Sequence, residues 1–258
     1  MDNRRIESRI VSETIFWGGH PEAHLAAFQK AQGQTNHCGV YAVSAAISLL
    51  RGGERIDYDE SVAIADRHAA LSLLGIARLV AGRNLRLWPG GPTTPRQQAH
   101  LAERLGRLHG LAISARAYTG TPNDLIGYLR ETDTLVLVTI GWDDGSRPLI
   151  VSPDGRLLRF APVESLSLFS VTFRAPFGGH VMVLAAHDPA RRFRFRGGRT
   201  ITAPWGFINS WADGADSEAP GHGHLYWMPD EDFRAAWGYP IWVGRNKMVV
   251  VTWHSPTK

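Results

Sequence analysis

Cys38 is the only cysteine in the 258-residue chain. A polar loop leads into it, Gln32-Gly33-Gln34-Thr35-Asn36-His37. Behind it, Val40, Val43, Ile47 and Leu50 recur at helical spacing and Gly52-Gly53 stop the run, which predicts a buried helix over 40–50. Cys38 therefore falls at or near a helix N-terminus. Unpaired N–H groups and the helix dipole there favour a thiolate, so the position predicts a thiol pKa below that of free cysteine. The competing reading is a small hydrophobe at the head of a core helix, because free cysteines are often buried.

A thiol becomes a working nucleophile when a base takes its proton and a third group orients that base. Of eleven histidines, His180 has the most suggestive context. Gly178-Gly179-His180-Val181-Met182-Val183-Leu184 puts it at the head of an apolar strand, and the glycines allow another backbone or a substrate to come close. A histidine there also serves as a purely structural residue. The orienting group is expected to be Asn209, in Phe207-Ile208-Asn209-Ser210-Trp211 at a strand end.

The elements that must position these residues change period along the chain. Residues 1–31 are a lead-in, with a short strand within Arg9–Trp17 and a helix over Pro21–Lys30. Further helices are expected at Asp57–Val80 and Arg96–Leu108, the latter with Thr94 as N-cap and Pro95 at its first position. Then come a strand at Leu111–Ala117 and a short helix from Thr121 to Arg130. A strong strand runs over Thr134–Trp142. More strands follow at 149–151, 157–160, 166–173, 180–186, 206–210, 223–228 and 242–253. Arg191–Arg196 before Gly197-Gly198 reads as a hairpin. The expected architecture is one α+β domain over 1–258, with a helical part over about 32–110, a β-rich part over about 111–258 and a cleft between them.

Composition agrees with a globular protein: 44% hydrophobic, 20% charged, net charge +4. That charge is too small to mark a nucleic-acid binder by itself. A single cysteine excludes an intrachain disulfide framework. No apolar stretch follows Met1-Asp2-Asn3-Arg4-Arg5, and no apolar run is long enough to span a bilayer, so the expectation is a cytoplasmic protein without membrane contact.

Taken together, Gln32-Gly33, Cys38, Gly179-His180-Val181-Met182-Val183 and Asn209-Ser210-Trp211 resemble the motifs of the papain-like cysteine peptidases. The order Cys, His, Asn agrees, with roughly 140 and 170 residues between Cys38 and the other two. The resemblance implies a two-lobed fold with the active site in the cleft, and hydrolysis of peptide or amide bonds through a thioester. It implies Cys38 as nucleophile, His180 as general base and then acid, and Asn209 as the group orienting the imidazole. It further implies Trp211 shielding that hydrogen bond, Gly179 as support beside the base, and Gln32 with the Cys38 N–H as oxyanion donors. The substrate would be a peptide or protein, and no cofactor or metal is implied.

Departures qualify the likeness. Thr35 stands where the family has a second cysteine, Gly39 where an aromatic usually follows the nucleophile, and Ala212-Asp213-Gly214 where a second Trp-Gly is usual. The lead-in is too short for the family's inhibitory propeptide. Cys38-Gly39 with the upstream glutamine is also similar to bacteriocin-processing cysteine peptidases, whose third residue is Asp. Asp188 follows His180 too closely to serve, so Asn209 is preferred. A thiol amidase, deamidase or acyltransferase on the same fold remains an alternative, as does an inactive binding module.

Other signals have plainer readings. His222 with His224, and His20 with His24, lack the partners of a known metal spacing, so no metal site is expected. The short Arg191–Arg196 run is expected to be a solvated hairpin rather than a nucleic-acid or phospholipid site. The Trp205, Trp211, Trp227, Trp237 and Trp242 group is expected to be core plus a groove wall.

Overall fold

A computed structural model describes residues 13–32, 35–70, 84–162, 165–168, 171–174, 177–210, 223–241 and 243–255. In chain order, these contain β1 (Ile15–Phe16), a 3-10 turn (Trp17–Gly19), α1 (Glu22–Ala26), α2 (Cys38–Leu50), α3 (Tyr58–Arg67) and α4 (Pro95–Leu108). Then follow β2 (Ile113–Thr119), α5 (Pro122–Tyr128), β3 (Thr134–Trp142), β4 (Leu149–Val151), β5 (Leu157–Arg159), β6 (Ser165–Leu168) and β7 (Val171–Arg174). The chain continues through β8 (Gly178–His187), β9 (Arg192–Arg194), β10 (Thr200–Thr202), β11 (Trp205–Ile208), β12 (Tyr226–Met228), α6 (Asp230–Trp237) and β13 (Lys247–Trp253).

The fold is mixed α+β. Its main sheet is antiparallel, ordered β2-β13-β3-β8-β11-β12-β4-β5, with β1 added to the end of β8. The central strand β3 explains its own sequence. All nine of its residues, Thr134 to Trp142, are buried, because β13 and β8 pair with its edges and α2 and α6 pack against it. Apolar residues at nearly every position, rather than at alternate ones, are what a strand covered on both faces requires.

α2 is likewise apolar on all sides. Every residue from Gly39 to Leu50 is buried, because the helix lies between β8 and β3 on one side and α3 and α4 on the other. Its two serines avoid a penalty by donating to carbonyls one turn back, Ser44 Oγ to Val40 at 2.9 Å and Ser48 Oγ to Ser44 at 2.7 Å. α4 starts as its sequence dictates: Thr94 Oγ1 accepts from the Gln97 N–H, and Gln97 Oε1 accepts from the Thr94 N–H.

Several boundaries differ from expectation. The helix expected over Asp57–Val80 ends at Arg67, and 71–83 lie outside the described residues. The single strand expected over 166–173 is two paired strands, β6 and β7. The hairpin expected at Arg191–Arg196 is completed by β10, with Gly197 and Gly198 at φ of 89° and 81° making the turn. α6 follows β12 as a true helix, opened by Asp230, Glu231 and Asp232 where the dipole favours acids.

Candidate active site

The structure pairs His180 with Asn209 and sets Cys38 at the head of α2. Cys38 opens α2, with His37 just before it making no side-chain cap. The first-turn N–H groups of Cys38 and Gly39 therefore remain free to face the sulfur, and both do. The Val181 N–H of β8 faces it as well. Val181 is the residue next to His180, which lies 142 positions from Cys38 in sequence.

His180 sits on β8 opposite Ile140 of β3 and is 5% exposed. Asn209 follows the last residue of β11, whose pairing with β8 shifts register between Gly206 and Phe207. Asn209 Oδ1 lies 2.6 Å from His180 Nε2. A carboxamide oxygen only accepts, so Nε2 carries the proton and donates. The neutral ring then has Nδ1 as its one basic nitrogen. Burial pushes the His180 pKa down to about 4, against the hydrogen bond to Asn209, which raises it. The imidazole is therefore neutral at pH 7.

The thiol departs from the sequence expectation. Burial pushes the Cys38 pKa up from its ordinary value. The N–H groups of Val181, Gly39 and Cys38 and the charge of Arg86 all act in the opposite direction, as a helix start predicts, but burial outweighs them. Cys38 keeps a partial opening to solvent, yet the packing around its sulfur is dense. At rest the thiol and the imidazole are accordingly both neutral.

Gln32 is drawn into the site through Ser210. Its N–H donates to the Ser210 carbonyl at 2.8 Å, and Ser210 Oγ donates to Gln32 Oε1 at 2.7 Å. Gln32 Nε2 donates to the Thr35 carbonyl at 2.6 Å, while Thr35 Oγ1 returns a bond to the Gln32 carbonyl at 2.7 Å. The side-chain amide is thus fixed against the nucleophile loop, and among the described residues one of its two N–H groups is used. Gly179 is exposed, and among the described residues a side chain there would meet only the Ile140 carbonyl, at an ordinary distance. Trp211, Gly33, Gln34 and Trp242 lie outside the described residues.

Two residues that sequence reasoning passes over take part. Phe160, 1% exposed, packs its ring 5.5 Å from that of His180 and 4.8 Å from that of Trp142. It walls the imidazole from water, and a phenylalanine after a short strand gives no local sign of this. Ser210 belongs to the Asn-Ser-Trp tripeptide and has that signal alone. Gly39, where an aromatic is usual, is explained by packing: Thr93 occupies the place a β-carbon would take, with Gln98 close by.

The remaining candidates have structural partners. His20 stacks on Trp17 and His24, with centroids 5.2 and 4.7 Å apart. His224 Nδ1 lies 3.6 Å from Glu22, and His222 is outside the described residues. Among the described residues no three His, Cys, Asp or Glu side chains gather as for a metal ion. Arg191 pairs with Glu22 at 3.0 Å and covers Trp227, while Arg192, Arg194 and Arg196 are exposed and Phe193 and Phe195 pack on the core. Trp205, Trp227 and Trp237 are buried in the core. Among the described residues no helix is long and apolar enough to cross a membrane. Neither a family model nor a curated protein matches the sequence.

Proposed function

We propose that the chain is a papain-like thiol enzyme that cleaves peptide or amide bonds through an acyl group carried on Cys38. The observation that supports this best is the 2.6 Å contact between His180 Nε2 and Asn209 Oδ1. It leaves Nδ1 as the base of a neutral imidazole whose neighbour in β8, Val181, has its N–H at the Cys38 sulfur. A base with an open lone pair, held by a third group next to a thiol, is the arrangement nucleophilic catalysis requires.

In this reading the thiol proton passes to His180 Nδ1 as sulfur attacks the substrate carbonyl carbon. The carbonyl electron pair moves to oxygen, where the second Gln32 N–H and the Cys38 N–H stabilise it. Collapse expels the amine, which takes its proton from His180. Water, deprotonated by the same ring, then attacks the thioester and releases the acid and the Cys38 thiol. Asn209 keeps the imidazolium oriented, and Phe160 keeps water from its face. The substrate is a peptide or protein segment, the fold is the two-lobed papain type with the cleft at Cys38, and the setting is cytoplasmic.

The test is cleavage of casein and a panel of fluorogenic peptides by wild-type protein and Cys38→Ala. Thiol-dependent release supports peptidase activity. Turnover that appears only with an added amine acceptor replaces hydrolysis by acyl transfer. No turnover of either kind, with Cys38 inert, refutes the proposal.

A further inference from the structure

Arg86 is 0% exposed, an unusual place for a guanidinium, and it belongs to none of the sequence motifs of the site. Its backbone is fixed by a parallel bridge to Ala69 and by the Ala70 N–H donating to its carbonyl at 2.9 Å. From there each of its three nitrogens reaches a different segment. Nε donates to the Gly91 carbonyl at 2.6 Å, Nη1 to Asp66 Oδ1 at 2.5 Å, and Nη2 to the Asn36 carbonyl at 3.1 Å. Asn36 lies two residues before Cys38. Asp66 belongs to the last turn of α3 and also accepts from the Gly90 N–H at 2.9 Å. One planar cation therefore ties the nucleophile loop, α3 and the 88–91 turn together.

We propose that Arg86 is the positioning residue of the nucleophile: its guanidinium holds the Cys38 loop where a chain with one cysteine has no covalent staple, and sets a fixed positive charge beside the thiol. This rests on reading Cys38 as the nucleophile. Burying a charge is unfavourable, and well-packed apolar side chains in its place are often neutral or stabilising. Its retention is explained if the charge acts on the sulfur. The groups facing Cys38 agree with this. His37 on its own loop is held neutral, chiefly by burial and then by Arg86. His180 on β8 is neutral, and α4 and the residue before its cap bring up the uncharged Gln98 and Thr93 at Gly39. Among the described residues, Asp66 on α3 is the carboxylate paired with the guanidinium, and Arg86 is the charge that favours the thiolate. A lysine would keep the charge but not the fork that reaches three acceptors.

The test reads the thiol without any substrate: iodoacetamide alkylation of Cys38 against pH, with melting temperature, for wild type, Arg86→Met, Arg86→Lys and Asp66→Asn. Arg86→Met is expected to move the alkylation midpoint upward and to slow alkylation at pH 8. Asp66→Asn, which leaves the cation uncompensated, is expected to move it downward. Arg86→Lys should keep the midpoint near wild type while lowering the melting temperature. Midpoints that stay fixed, or that move in one direction with stability in all variants, overturn the proposal and leave Arg86 a packing residue. If Arg86→Met does not fold, the downward movement in Asp66→Asn and the retained midpoint in Arg86→Lys decide the matter alone. Wild-type protein that alkylates in this pattern but turns over no substrate would refute the peptidase reading and not this one.

Discussion

Gln32 and Ser210 exchange two hydrogen bonds, backbone N–H to carbonyl at 2.8 Å and hydroxyl to carboxamide oxygen at 2.7 Å, across 178 positions of sequence. They lock the loop before the nucleophile to the loop that carries Asn209. The hydroxyl holds the Gln32 carboxamide oxygen, so its N–H₂ must point the other way, toward Thr35 and the site. Gln32→Ala is expected to lower kcat by roughly a hundredfold with KM little changed, the cost of one oxyanion donor. Ser210→Ala should cost about tenfold, because the donor stays but its orientation is released. Steady-state kinetics with melting temperatures check this; a loss of activity that only tracks loss of stability would make Gln32 a loop brace.

The His180–Asn209 bond predicts a graded result. His180→Ala should abolish turnover, whereas Asn209→Ala should leave a residue of it, because an orienting group fixes geometry and tautomer without taking the proton. Single-turnover kinetics on both variants measure this. Near-normal activity in His180→Ala would assign the base to another histidine.

Burial of His180 makes a prediction about acid stability. Its folded pKa, about 4, lies below the ordinary 6.5, so the folded state binds fewer protons than the unfolded one between those values. The stability linked to this group is complete above pH 6.5 and is lost as pH falls toward 4, about 3 kcal/mol in all. Urea midpoints from pH 7 to pH 4 should fall more steeply for wild type than for His180→Gln. Parallel slopes would mean the imidazole titrates normally.

Gly39 carries a packing prediction. Gly39→Ala places a methyl group against Thr93 and should destabilise by about 1–3 kcal/mol. Adding Thr93→Ala, which removes the crowding hydroxyl, should recover part of the loss in a double-mutant cycle. Additive losses would show that the two residues do not share the space.

Local chemistry makes parts of this legible in sequence. Thr94, Pro95 and Gln97 announce the start of α4, and β-branched Thr134–Trp142 announces β3. Helical spacing behind Cys38 puts it at the head of α2, where it is found, and His180 and Asn209 are hydrogen-bonded. The rest depends on contacts between distant segments. The thiol pKa lies on the other side of its ordinary value from the sequence expectation because helix position is local and sulfur burial is not. Phe160 against His180, Ser210 on Gln32 and Arg86 on Asn36 join segments 20 to 178 positions apart, and no periodic pattern announces any of these contacts.

The central claim is that His180 activates Cys38, and intact mass after treatment with a vinyl-sulfone thiol inhibitor tests it most directly. One label on wild type is predicted, none on Cys38→Ala, and labelling slowed by roughly a hundredfold in folded His180→Ala. An unlabelled wild type, or equal labelling rates in wild type and His180→Ala, would contradict the account.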